Sequence, residues 1–138
     1  MRKVVELDGW KINLQVCYDL RFPVWSKNRL NDDEYEYDIL LYIANWPEIR
    51  SNAYKILLGA RAIENQAYVI WVNRVGYDNN QVYHTGDSRV ICPSGEILAA
   101  AKAGKEEILP AILSRAALDE FRERYRFSLD WDKFTVHT

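Results

Sequence analysis

Cys17 is the residue of this chain best placed to do covalent chemistry. It follows Trp10–Val16, where Trp10, Ile12, Leu14 and Val16 alternate with Lys11, Asn13 and Gln15 at the period of a β-strand. Cys17 continues the polar set, whereas a cysteine that only fills a core belongs with the apolar one. The strand runs into Tyr18-Asp19-Leu20-Arg21-Phe22-Pro23, a tight polar turn. A thiolate there would be a nucleophile, and a thiol of ordinary pKa, about 8.5, needs a neighbouring base or a local field to become one. Glu48, Glu64, Lys27, Lys55, His84 and His137 offer that chemistry, but sequence places none of them beside Cys17. Arg21 could grip a substrate carboxylate bidentately, although pairing of Asp19 and Arg21 with neighbours in the turn is the simpler role.

The elements around this turn follow from periodicity. Asp8-Gly9 joins a strand over residues 4–7 to the nucleophile strand. The acidic run 31–36 reads as a solvated loop or helix end, with no glycine-turned calcium loop spacing. Residues 37–44 form a continuous apolar strand, and Trp46, in Asn45-Trp46-Pro47, stands beyond its end, where α/β folds place ligands. Ser51 caps a helix to about residue 67 with Ala53, Ile56, Leu57, Ala60, Ile63 and Ala67 on its apolar face. A second buried strand, 68–73, completes a βαβ crossover, so the fold class is α/β. Arg61 and Glu64 lie at i,i+3, suited to an ion pair.

Beyond it, residues 76–86 read as a polar loop, 88–92 and 97–101 as a hairpin, and 107–113 as an edge strand despite Pro110. Ser114 caps a last helix carrying Leu118, Phe121 and Tyr125 on one side, and the tail 126–138 is apolar without helical period. Cys92 reads as a small buried residue at a strand end. Two cysteines so far apart suggest neither a disulfide framework nor a zinc site, and no metal is expected.

With 138 residues one domain is expected. A net charge of −2 and a pI near 5.7 give no footprint for nucleic acid. The apolar run at residues 39–44 falls far short of the ~20 residues of a membrane helix, so no membrane partner is expected, and a cytoplasmic location is the default.

Four ordered segments resemble the nitrilase superfamily, the carbon-nitrogen hydrolases, and within it the omega-amidase-like branch. They are Val16-Cys17-Tyr18-Asp19-Leu20-Arg21-Phe22-Pro23, residues 37–47, residues 60–70 and residues 72–76, with YHTGDSRVICPSG at 83–95 similar to the family's next strand and hairpin. The resemblance implies a four-layer α-β-β-α sandwich, Cys17 as nucleophile, the backbone N–H of Tyr18 as oxyanion donor, and Trp46 in the acyl pocket or in the core. It implies no cofactor, a small-molecule amide as substrate, and hydrolysis of short dicarboxylate monoamides through a cysteine thioester. Asp87 and Ser88 match a small polar pair near the family's active-site rim, with satisfaction of loop backbone groups as their default role. The family carries a glutamate base and a lysine upstream of the cysteine, and here only 16 residues precede Cys17. The expectation is therefore that residues 1–138 are the C-terminal portion of one such domain, incomplete without its N-terminal half. A homo-oligomer covering exposed apolar surface is expected as well. The rival expectation is a catalytically inert fragment or interaction module that keeps the fold.

Overall fold

Asp8 and Gly9 both take left-handed φ, 46° and 77°, as a two-residue hairpin turn requires. In this computed structural model, which describes residues 3–135, β1 (Lys3–Leu7) and β2 (Trp10–Val16) pair antiparallel across that turn. His137 lies outside the described residues, as does the end of the apolar tail. A 3₁₀ turn, Cys17–Arg21, and the short helix α1 (Pro23–Ser26) follow β2. The acidic run is neither loop nor helix end: β3 (Leu30–Asn31) and β4 (Glu34–Tyr35) form a small hairpin, closed by Asp32 and Asp33 at φ 48° and 65°. Aspartate tolerates that region better than most residues, which turns charge density into a tight turn.

β5 (Ile39–Ala44), a 3₁₀ turn at Glu48–Arg50, α2 (Ser51–Asn65) and β6 (Tyr68–Asn73) form the expected βαβ crossover. Ser51 is already helical, and Arg50 occupies the cap position without a side-chain cap. The expected polar loop is a hairpin of β7 (Val75–Tyr77) and β8 (Tyr83–Thr85), because Asp78 Oδ1 accepts from the Asn80 and Val82 amides and folds the intervening chain. β9 (Arg89–Ile91) and β10 (Ile97–Ala100) pair as expected. No strand forms over residues 107–113. Pro110 has no N–H to donate, and Ile108 and Ile112 stand almost fully exposed.

α3 (Arg115–Arg124) starts at Ser114, whose side chain accepts from the Ala117 amide at 3.2 Å. Ser114→Ala is expected to cost about 1 kcal/mol, seen as a lower urea midpoint with an unchanged m-value. The tail turns once as a 3₁₀ segment, Phe127–Asp130, and packs on its own chain: Tyr35 hydroxyl donates to Ser128 Oγ at 2.7 Å.

The main sheet has strand order β1-β2-β5-β6-β9-β10, with β2, β5 and β6 mutually parallel. Their register sets Val16, Ile43 and Val72 level, so Cys17 and Asn73 emerge at the same carboxyl edge. α2 covers one face, packing Tyr54, Leu58 and Ala62 onto Leu40, Tyr42, Val69 and Trp71. Its buried side is not the expected apolar stripe. Arg61 and Asn65 point inward and donate to the Leu20 and Arg61 carbonyls, while Ile56 and Ile63 face out.

The same reversal holds on β2. The polar set is the buried one, with Asn13 fully buried and Gln15 3% exposed, and Gln15 Oε1 accepts from Ser26 Oγ at 2.9 Å. On the opposite face α3 covers only the amino end, where Leu118 meets Ile39 and Tyr68. Towards the carboxyl end that face is bare: Val16 is 65% and Ile43 61% exposed, with Leu14 and Val72 beside them.

Candidate active site

The end of β2 delivers Cys17 in a conformation few side chains adopt, φ 38°, half-buried against the α2-side core. Such a backbone persists only where its surroundings hold it. At the entrance Asp19 Oδ2 accepts from the Val16 amide at 2.9 Å, and the Asp19 carbonyl accepts from the Phe22 amide at 3.0 Å. At the exit Arg61, reaching from α2, donates from Nε (3.1 Å) and Nη2 (2.7 Å) to the Leu20 carbonyl. Its Nη1 meets Glu64 Oε1 at 2.8 Å, the ion pair expected from the i,i+3 spacing. Asp19 therefore serves the turn. The Tyr18 amide lies in the first turn of the 3₁₀ segment, whose early N–H groups have no intrahelical acceptor, and the Tyr18 ring stands exposed against Phe22.

Arg21 and Trp46, singled out separately, meet: the guanidinium sits 4.6 Å from the indole centroid. Trp46 is 3% exposed, edge-on to Tyr54 and Trp71, with its Nε1 donating to the Arg50 carbonyl at 2.9 Å. It is thus a core residue whose face is closed by Arg21.

Asn73 gave no functional signal in the sequence beyond being a polar end to an apolar strand. It ties three segments together. Its Oδ1 accepts from the Trp46 amide at 2.8 Å, and its Nδ2 donates to the Trp46 and Gly86 carbonyls, each at 3.0 Å. Its own amide donates to Ser88 Oγ at 3.0 Å, so Ser88 does satisfy a backbone group.

Asp87 instead binds side chains. It accepts from Tyr54 hydroxyl at 2.7 Å and from Thr85 Oγ1 at 3.2 Å, and it pairs with Lys55 at 3.2 Å. Burial pushes the Asp87 carboxyl up, but the Tyr54, Lys55 and Thr85 hydrogen bonds and the lysine charge outweigh it and hold the group below its ordinary value. Burial, helped by the Asp87 charge, lifts Tyr54 to about 12. A cleft of about 320 Å³ opens beside these groups, lined by Asn73, Gly86, Asp87, Ser88 and Lys105 among others.

Of the sequence's candidate partners for Cys17, Glu64, Lys55, Lys27 and His84 are engaged elsewhere. Glu64 holds Arg61, Lys55 holds Asp87, and Lys27 Nζ donates to the Glu64 carbonyl while covering the Trp131 ring at 3.7 Å. Glu48 is exposed on its 3₁₀ turn, and buried His84 keeps Nδ1 3.0 Å from the Val82 carbonyl. Among the described residues no side chain hydrogen-bonds the Cys17 thiol, and no three His, Cys, Asp or Glu are grouped to hold a metal ion. No described helix is long and apolar enough to cross a membrane. Cys92, partly buried, lies 3.0 Å from Ser94 Oγ.

Comparison with known proteins identifies the family and the fold. The profile of the family described as Carbon-nitrogen hydrolase matches residues 2–123. Omega-amidase YafV of Escherichia coli (strain K12) is 56% identical over 135 residues, covering 98% of this chain and 51% of the relative. The 2-oxoglutaramate amidase of Bacillus subtilis (strain 168) is 39% identical over 102 residues, 74% of this chain and 37% of the relative. Among solved structures, XC1258 from Xanthomonas campestris, a CN-hydrolase superfamily protein with an arsenic adduct in its active site, superposes with a TM-score of 0.94. It is 45% identical, covering 99% of this chain and 52% of that one. The chain spans about half the length of these relatives.

Proposed function

The chain belongs to the carbon-nitrogen hydrolase family, and from that premise we propose that it contributes the nucleophile portion of an omega-amidase acting on short dicarboxylate monoamides. The observation that carries this reading is Cys17, held at φ 38° at the carboxyl edge of three parallel strands within a segment closely similar to omega-amidase YafV. In the proposed cycle the Cys17 thiolate attacks the amide carbonyl, and the oxyanion is met by the Tyr18 amide and an ammonium group. The tetrahedral adduct collapses with the C–N bond breaking, and the base returns the thiol proton to the departing ammonia. Water, deprotonated by the same base, then cleaves the thioester, releasing the dicarboxylate and restoring the thiol. Each turnover consumes one water and needs no cofactor.

The base and the ammonium, a glutamate and a lysine, are assigned to polypeptide packed on the bare face around Val16 and Ile43, which adjoins Cys17. Apolar side chains on one sheet face are what a second sheet buries in a sandwich. In this reading Arg21, which covers the buried Trp46 ring, faces the acyl side of the site. Association of like chains through exposed apolar surface, and a cytoplasmic setting, belong to the same proposal. A concentration-independent monomer in sedimentation would remove the association.

A second reading, a non-catalytic interaction module, is favoured by one observation: no described carboxylate or ammonium hydrogen-bonds the thiol. Ammonia release from glutaramate and succinamate separates the two readings, measured for the chain alone and for the chain combined with a polypeptide supplying the proposed glutamate and lysine. Turnover in either form supports the amidase. Absence of turnover in both forms, with the fold intact, leaves the module.

A further inference from the structure

We propose that Arg61 is a positioning residue for Cys17, resting on the reading of Cys17 as nucleophile: by clamping the Leu20 carbonyl from α2, it keeps the turn wound so that Cys17 stays at left-handed φ. The Arg61 side chain is only 4% exposed, whereas that of its ion-pair partner Glu64 is 36% exposed. A surface pair at i,i+3 gives little reason to bury a guanidinium, since desolvating a charge is costly unless its donors are used. Here they are used, and two of them converge on one oxygen, the carbonyl of a residue 41 positions earlier and three beyond Cys17.

That carbonyl lies near the end of the Cys17–Arg21 segment, where backbone acceptors lack intrahelical donors. The converging donors therefore fix the exit of the turn, as the Asp19 carboxylate on the Val16 amide fixes its entrance. Between these two anchors Cys17 has little freedom to relax towards an extended or right-handed backbone. The anchor itself is rigid, because α2 is a 15-residue helix packed through Tyr54, Leu58 and Ala62 onto the sheet. A planar fork with donors at fixed spacing suits this role, and a lysine ammonium supplies a point charge without it.

The test uses the chain with Cys92→Ser, so that Cys17 is its one thiol, carrying Arg61→Gln, Arg61→Lys or Glu64→Gln. Isotope-labelled protein gives the three-bond HN–Hα coupling of Cys17, which reports its φ. Iodoacetamide alkylation across pH gives the reactivity profile of the thiol, and thermal unfolding shows that each variant is folded. Arg61→Gln is expected to move the Cys17 coupling away from its left-handed value and to displace the alkylation profile. Arg61→Lys should lie between, and Glu64→Gln should leave both readings unchanged. A folded Arg61→Gln with unaltered coupling and profile overturns the proposal, as does a Glu64→Gln that reproduces its effect. If Arg61→Gln does not fold, Arg61→Lys decides by the same two readings. Retained amide turnover in Cys17→Ala would defeat the nucleophile reading instead, and would leave the dependence of the Cys17 backbone on Arg61 as measured.

Discussion

Cys17→Ala is expected to lower amide turnover by a factor on the order of 10⁴ or more in whichever form of the protein hydrolyses glutaramate. Loss of a covalent nucleophile removes the intermediate itself, and the hydrogen bonds that remain can only stabilise an attack by water. Folding should survive, because the thiol is half-buried and no described side chain hydrogen-bonds it. The unfolding midpoint of the variant, measured beside its ammonia release, checks this. A thioester trapped by acid quench and located on Cys17 by mass spectrometry would assign the step. Turnover in the alanine variant within a few-fold of the parent would transfer the chemistry to another group.

The second large effect concerns stability and lies at the opposite end of the sheet. Asp38, 4% exposed, receives Arg122 Nη1 at 2.8 Å, Arg115 Nη2 at 2.9 Å and the Lys11 amide at 3.1 Å. Arg122 in turn donates to the Gln66 and Tyr37 carbonyls and stacks over Tyr35 at 3.7 Å. One carboxylate thus fastens α3 to the start of β5. Asp38→Ala is expected to destabilise the fold by about 3–5 kcal/mol, since it strands a buried arginine without its counter-charge.

The pH dependence has a definite sign. Burial alone would raise the Asp38 pKa, but hydrogen bonds from Arg115, Arg122 and the Lys11 amide, with the Arg122 charge, outweigh it and set the folded value below the ordinary one. The unfolded chain therefore takes up this proton first. The stabilisation is fully present above the unfolded carboxylate pKa, about 4, and drains away as pH falls through the folded one. Thermal midpoints from about pH 6 down to about pH 2 should fall more steeply in the parent than in Asp38→Asn, whose curve starts lower. Asp87, also depressed, keeps some slope in the variant. Parallel curves would mean that Asp38 is not held below its ordinary value.

Features that depend only on neighbours along the chain are legible in the sequence. Asp8-Gly9 had to turn because both positions need φ that these residues tolerate, and Ser114 had to cap because its hydroxyl reaches an amide three residues on. The apolar runs of β5 and β6 with a helix between them prescribe parallel pairing, and the segment from Val16 to Pro23 is among those whose resemblance pointed to the family. The tertiary structure alone decided which faces look inward. Periodicity sorts residues into two sets on β2 and α2, but which set is buried depends on the layer that packs against it, and some buried polar members find hydrogen-bond partners far along the chain. Gln15 does so with Ser26, and Arg61 with Leu20. The same holds for Asp38, whose arginines lie 77 and 84 residues away, and for the contact of Arg21 with Trp46. Pairings of that range carry no period in the chain, because they depend on where the packed sheet and helices bring the side chains together.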